Sequence, residues 1–189
     1  MRCAPESGSP APALVSAADA KEGRADGCPA IPMPGLCILG CDPGVSGALA
    51  FYFPAAPDMI SAEDMPLAAG DIDGATLASR IKQMRPDLAI IERVHSMPKQ
   101  GISSTFRFGQ SFGVIIGVVA ALEIPVRFVT PGRWKKHYGL GADKEHARAR
   151  ALQLWPARSE LFSRKRDHGR AESALLARLG AELPTGRLA

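Results

Sequence analysis

Long apolar stretches are missing from this chain: the longest run, Phe112 to Leu122, is too short to span a bilayer, so no membrane partner is expected. Cysteine is sparse, with four residues, no Cys-x-x-Cys pair and no histidine at zinc-finger spacing, which argues against a zinc site. Cys37 and Cys41 fall on one face of a short apolar run and read as small buried hydrophobes in a reducing compartment. There is no internal repeat. The first 34 residues also lack apolar periodicity; they are rich in Ala, Pro, Gly and Ser and mix acids with bases around no hydrophobic segment. Neither a secretory nor a transit peptide fits them, and residues 1–34 are expected to be a disordered extension, with Met33 near an alternative start. Residues 183–189 are expected to form a short tail.

Acids are scarce in one half of what remains. Between Arg127 and Arg170 twelve Lys or Arg face four Asp or Glu, so the overall charge of +4 hides a local +8. A basic segment of this density favours a nucleic-acid partner, because phosphate contacts supply most non-specific affinity. The 189 residues leave room for one domain of ordinary size, at 35–182.

Two apolar runs in that domain end in a carboxylate. Leu36 to Cys41 leads into Asp42-Pro43-Gly44-Val45-Ser46-Gly47, and Leu88 to Ile91 leads into Glu92. Both read as buried strands, and small residues after Asp42 turn the chain into a second strand, Ala48 to Phe53. Near the C-terminus Asp167 suits a helix N-cap, and His168 and Glu172, four apart, share a face of the helix that follows. Two strand-end acids and a helix acid suit one or two Mg²⁺ ions, which prefer oxygen ligands and assist displacement at phosphorus.

The remaining pattern gives a third strand near Met59–Met65, helices at about 73–84 and 103–123, and a strand at Val126–Val129. Three more helices follow, at 131–138, 143–154 and 167–179. Three consecutive strands and then alternating helices and strands predict an α/β fold, a mixed sheet flanked by helices. In the long helix Gly109, Gly113 and Gly117 share one face, so either the sheet or a partner helix approaches it closely.

Five segments in order resemble RuvC-type Holliday junction resolvases of the phage-like branch, within the RNase H-like superfamily. They are Leu39–Ala48, Ile90–Val94, Met97–Phe106, Pro131–Lys136 and Lys165–Glu172. The resemblance implies an RNase H-like mixed five-stranded sheet flanked by helices. It implies a homodimeric, cytoplasmic, bacterial or phage-encoded endonuclease that depends on Mg²⁺, with two ions and Mn²⁺ as a substitute. Such an enzyme nicks opposed strands of a four-way junction.

Asp42 and Glu92 match the first two metal-binding acids and Glu172 the last, where bacterial enzymes usually carry Asp. A fourth group normally lies one turn before that acid; Gly169 stands three residues back, which leaves Asp167 or His168. Lys135 and Lys144 resemble lysines near the scissile phosphate, and Lys136, Arg164, Lys165, Arg166 and Arg170 complete the expected DNA-binding set. His95 stands where bacterial members place an aromatic, and Phe106 and Phe108 are candidates to stack on bases.

Three other readings are weighed beside this one. Asp42-x-Gly44 with Ser46 also resembles the phosphate-binding hairpin of sugar kinases and actin-like ATPases, but those need two lobes and the chain has length for one. A catalytically inactive binder of branched DNA is disfavoured by the presence of every candidate acid. A nuclease acting on forks or flaps shares the same chemistry.

Overall fold

The computed structural model describes residues 35–93, 101–141 and 143–183, except for the Lys144 side chain. The expected extension 1–34, most of the tail 183–189, His95 and the loop up to Gln100 lie outside the described residues.

Three strands, β1 (Ile38–Asp42), β2 (Ala48–Tyr52) and β3 (Ile60–Asp64), form an antiparallel meander. Two short strands, β4 (Leu67–Ala68) and β5 (Asp71–Ile72), make a separate small hairpin before helix α1 (Gly74–Met84). Strand β6 (Leu88–Glu92) returns parallel to β1, helix α2 (Ile102–Ala121) follows, and β7 (Val126–Val129) lies parallel to β6. Helices α3 (Pro131–His137) and α4 (Lys144–Leu154) come next, then α5 (His168–Glu182) after 3-10 turns at Pro156–Leu161 and Lys165–Asp167. The sheet order is β3-β2-β1-β6-β7. This is the mixed five-stranded sheet flanked by helices that the pattern predicts.

Strand alternation sorts the core into two layers. Ile38, Ala50, Ile60 and Ile90 face α5, where they meet Ala174, Leu175 and Ala177 together with Trp134 and Trp155. Leu39, Cys41, Leu49, Phe51 and Ile91 face the other way, against Leu77 and Ile81 of α1 and Ile115 and Val119 of α2. Helix α5 crosses β1 at Gly40, where an added Cβ would stand 2.0 Å from the Ser173 carbonyl oxygen and 2.4 Å from the Ala177 nitrogen. Only glycine permits that crossing, and its depth sets how low Glu172 sits over the sheet. Asp73 caps α1 by accepting from the Ala75 and Thr76 amides.

Several expectations need correction. The β4–β5 hairpin and both 3-10 turns had no signal in the apolar pattern, being too short to show a period. Asp167 sits at the start of α5 but makes no side-chain cap bond there. The glycines of α2 do not pack on the sheet: an added Cβ at Gly109, Gly113 or Gly117 would meet nothing within 4 Å. Ser111, Ile115 and Val119 form the buried side instead. Two residues further round is about 200° on a helix, so the glycine row faces outward. By length and composition alone α2 could cross a membrane, although no single apolar run in it is long enough. The flank of α2 beside that row is tied into the α1 layer, where Gly74 meets Val114 and Val118.

Candidate active site

One end of the sheet carries a row of acids. The strand register places Asp42 opposite Ala48 and Ala48 opposite Asp64, while Cys41 pairs with Ile91 so that Glu92 ends β6 beside Asp42. Asp42, Glu92 and Asp64 share parity with Ile38, Ile90 and Ile60, so all three stand on the α5 side. Both Asp42 and Glu92 act on the thiol between them: burial first, and then these two charges, push Cys41 well above its ordinary pKa.

The turn after Asp42 is held tightly. Gly47 donates to the Gly44 carbonyl at 3.0 Å, and an added Cβ at Gly47 would lie 2.0 Å from the Asp42 carbonyl oxygen. Ser173 of α5 pins the hairpin from above. Its hydroxyl accepts from the Asp42 amide at 3.1 Å and donates to the Ala48 carbonyl at 2.8 Å. The first turn of α5 therefore rests on the Asp42 carboxylate: an added Cβ at Gly169 would stand 3.4 Å from Asp42 Oδ2.

Glu92 is 8% exposed and accepts a 2.7 Å bond from the indole N–H of Trp134. Glu172 is 6% exposed. The ammonium of Lys135 lies 3.5 Å from Glu172 Oε1, yet that buried oxygen accepts no hydrogen bond. Lys135 Nζ also sits 5.2 Å from the centre of the Trp134 ring. Adjacent residues of α3 thus attend the two acids that come from β6 and α5.

Other expected site residues are engaged elsewhere. Asp167 is fully buried, and both its oxygens accept from Arg164: the backbone amide at 2.8 Å, Nε at 3.0 Å and an NH₂ group at 2.8 Å. Burial alone would raise its pKa, but the bonds and charge of Arg164 hold it below the ordinary carboxylate value. This corrects the expected N-cap role of Asp167, because its carboxylate closes the 3-10 turn instead. His168 opens α5 and is half-buried. No side chain exists at Gly169, which occupies the place beside Asp42.

Of the expected DNA contacts, Arg170 is bound to Asp64 through two bonds of 2.6 and 2.7 Å, and this pairing raises its pKa. Arg164 serves Asp167, and Lys135 faces Glu172. Lys136, Lys165 and Arg166 are exposed. Lys144 opens α4, its side chain lying outside the described set.

Trp134, Ser173 and Asp64 had no assigned role in the sequence. Trp134 was part of a recognisable motif, but its partner is 42 positions away. A groove of about 470 Å³ runs beside the Asp42 turn, between Ser46, the Gly70–Asp71 hairpin tip and Ser103, Arg107 and Phe108 of α2.

The donor set suits a hard divalent cation in its chemistry, three carboxylates with one buried oxygen that accepts no hydrogen bond. Among the described residues, however, no three His, Cys, Asp or Glu side chains stand close enough together to hold a metal ion. Glu92 and Glu172 are tied back to α3 instead.

An antiparallel meander extended by two parallel strands, with acids ending β1 and β6 and an acid on the closing helix, defines an RNase H-like fold. Within that class it is the fold of RuvC. The structure of T. thermophilus RuvC in complex with a Holliday junction substrate matches with a TM-score of 0.57 at 16% identity, covering 78% of this chain and 95% of that one. A second Thermus thermophilus RuvC structure matches with a TM-score of 0.54 at 14% identity, covering 78% and 96%. No family model and no curated protein matches the sequence.

Proposed function

We propose that this chain is a metal-dependent endonuclease that resolves four-way DNA junctions as a homodimer. The observation that carries the reading is the placing of Asp42, Glu92 and Glu172 around one end of a RuvC-like sheet, two on adjacent strand ends and one on the helix laid across them. RuvC with a similar fold has been seen on a Holliday junction.

Asp42, Glu92 and Glu172 are the residues that would hold Mg²⁺. When bound, the cation supplies charge for activating water and for stabilising the leaving oxygen in a displacement at phosphorus. The protein's own part is positional. Ser173 fixes the Asp42 backbone, Trp134 fixes Glu92, and α5 covers the acids from the apolar side. Exposed Lys136, Lys165 and Arg166 attract the phosphate backbone.

The outward face of α2 supports the dimer. Gly109, Gly113 and Gly117 leave its backbone open to close approach, and Ile102 and Phe106 are 90% and 73% exposed. A copy of the same helix fits such a face by two-fold symmetry.

Asp42→Asn removes a ligand charge without adding bulk. The expected result is loss of Mg²⁺-dependent cleavage by at least about a hundredfold, with junction affinity in EDTA unchanged in a gel-shift assay. Wild-type turnover by the variant would overturn the assignment. The bare Gly169 beside Asp42 supports a second reading, a branched-DNA binder that does not cut. In that case the wild type binds junctions tightly and leaves them intact in Mg²⁺ and Mn²⁺.

A further inference from the structure

The buried row of α2 recurs every four residues and changes character towards the start of the helix. Ile115 and Val119 pack in the core beside the α1 layer. One turn earlier the same row presents Ser111, 5% exposed, whose hydroxyl has no hydrogen-bond partner among the described residues. A buried hydroxyl left unpaired is costly unless a further group satisfies it. Ser111 lines the groove of about 470 Å³ beside the Asp42 turn, and the row continues along that groove as Arg107 and Ser103.

The walls of the groove suit a flat apolar ring. Phe108 reaches across to the turn: an added Cβ at Gly44, whose φ is +126°, would lie 3.7 Å from its ring. Pro43 and Val45 extend this apolar side. The rim is of mixed sign, with Arg107 exposed on α2 and Asp71 exposed at the hairpin tip. Neither pairs with an opposite charge among the described residues. A bare phosphate would be drawn by one and repelled by the other, whereas the edge of a nucleobase offers acceptors to an arginine and amino groups to a carboxylate.

We infer that the groove receives one unstacked base of the DNA, laid against Phe108 with its polar edge towards Ser111, Arg107 and Asp71; the inference rests on the DNA substrate of the reading above and not on the metal. The volume is that of a pocket enclosing a small ligand, and stacking on an aromatic ring tolerates any base. The glycine row stands two residues on from Arg107 and Ser111, about 200° round the helix, so a dimer built on that row leaves the groove open.

The test uses full-length protein and immobile four-way junctions that carry 2-aminopurine at one position at a time, in EDTA so that cleavage plays no part. This base is quenched by stacking between neighbours and brightens when it leaves them. Its emission should rise severalfold at one position of the bound strand. Ser111→Met sends a side chain from the floor into the groove and should abolish the rise. Junction affinity in a gel shift should hold, because phosphate contacts elsewhere supply most of it. If Ser111→Met does not fold, Ser103→Trp and Arg107→Ala at exposed positions replace it; the first should abolish the rise and the second weaken it. A rise that survives in the folded variants, or a bound junction with no rise at any position, would overturn the inference and leave the nuclease reading standing. A wild type that binds no junction removes both.

Discussion

Cations neutralise acids in pairs around the end of the sheet. Arg164 pairs with Asp167, Arg170 with Asp64 and Lys135 with Glu172. The pairs differ in consequence. Arg170–Asp64 is bidentate and joins α5 to the edge of β3, whereas Lys135 approaches Glu172 at 3.5 Å without a hydrogen bond. Asp167 is the most enclosed of these carboxylates, and its stabilisation depends on its charge. Its folded pKa is depressed, so the contribution is complete above the unfolded value and is lost as pH falls through the folded one. Asp167→Asn is therefore expected to cost on the order of 1–3 kcal/mol at pH 7. The gap to wild type should close as pH drops below about 4. Thermal unfolding from pH 7 to pH 2 measures this; a gap that stays constant would show that the Arg164 pair contributes nothing through charge.

Among the elements, α2 is the one whose two faces have different tasks. Its inner side, Ser111, Ile115 and Val119, belongs to the core, and its outer side carries Gly109, Gly113 and Gly117. Four-residue spacing was legible in the sequence, but spacing alone does not say which way a face points. The same limit applies to Asp167, whose position before α5 suggested a cap while Arg164, three residues earlier, claimed its oxygens. Longer elements were legible to within three residues because their apolar period repeats several times. β4 and β5, two residues each, repeat nothing. Gly113→Gln tests the outer face. It should leave the monomer as stable or slightly more so, since glycine is a poor helix former. It should also convert a dimer to a monomer in sedimentation equilibrium; a variant that remains dimeric would place the interface elsewhere.

Across the whole molecule, the candidate site lies where β1 and β6 end under the first two turns of α5. The sheet order was legible because three hairpin-linked strands followed by β–α alternation allow few topologies. The acids were legible because a carboxylate at the end of a buried strand is unusual. Their support was not. The Trp134–Glu92 bond and the Ser173 link to Asp42 join residues 42 and 131 positions apart, and no local pattern carries such a contact. Gly40, which lets α5 descend onto β1, looks in sequence like any small residue within a strand.

Substrate shape and metal dependence are read together in one assay. Wild-type protein is incubated with an immobile four-way junction, a fork and a linear duplex, in Mg²⁺ or in EDTA, and the strands are mapped on a denaturing gel. Paired nicks are expected at symmetric positions on opposed strands of the junction, in Mg²⁺ only. Equal cutting of fork and duplex, or cutting that persists in EDTA, would contradict the proposed function.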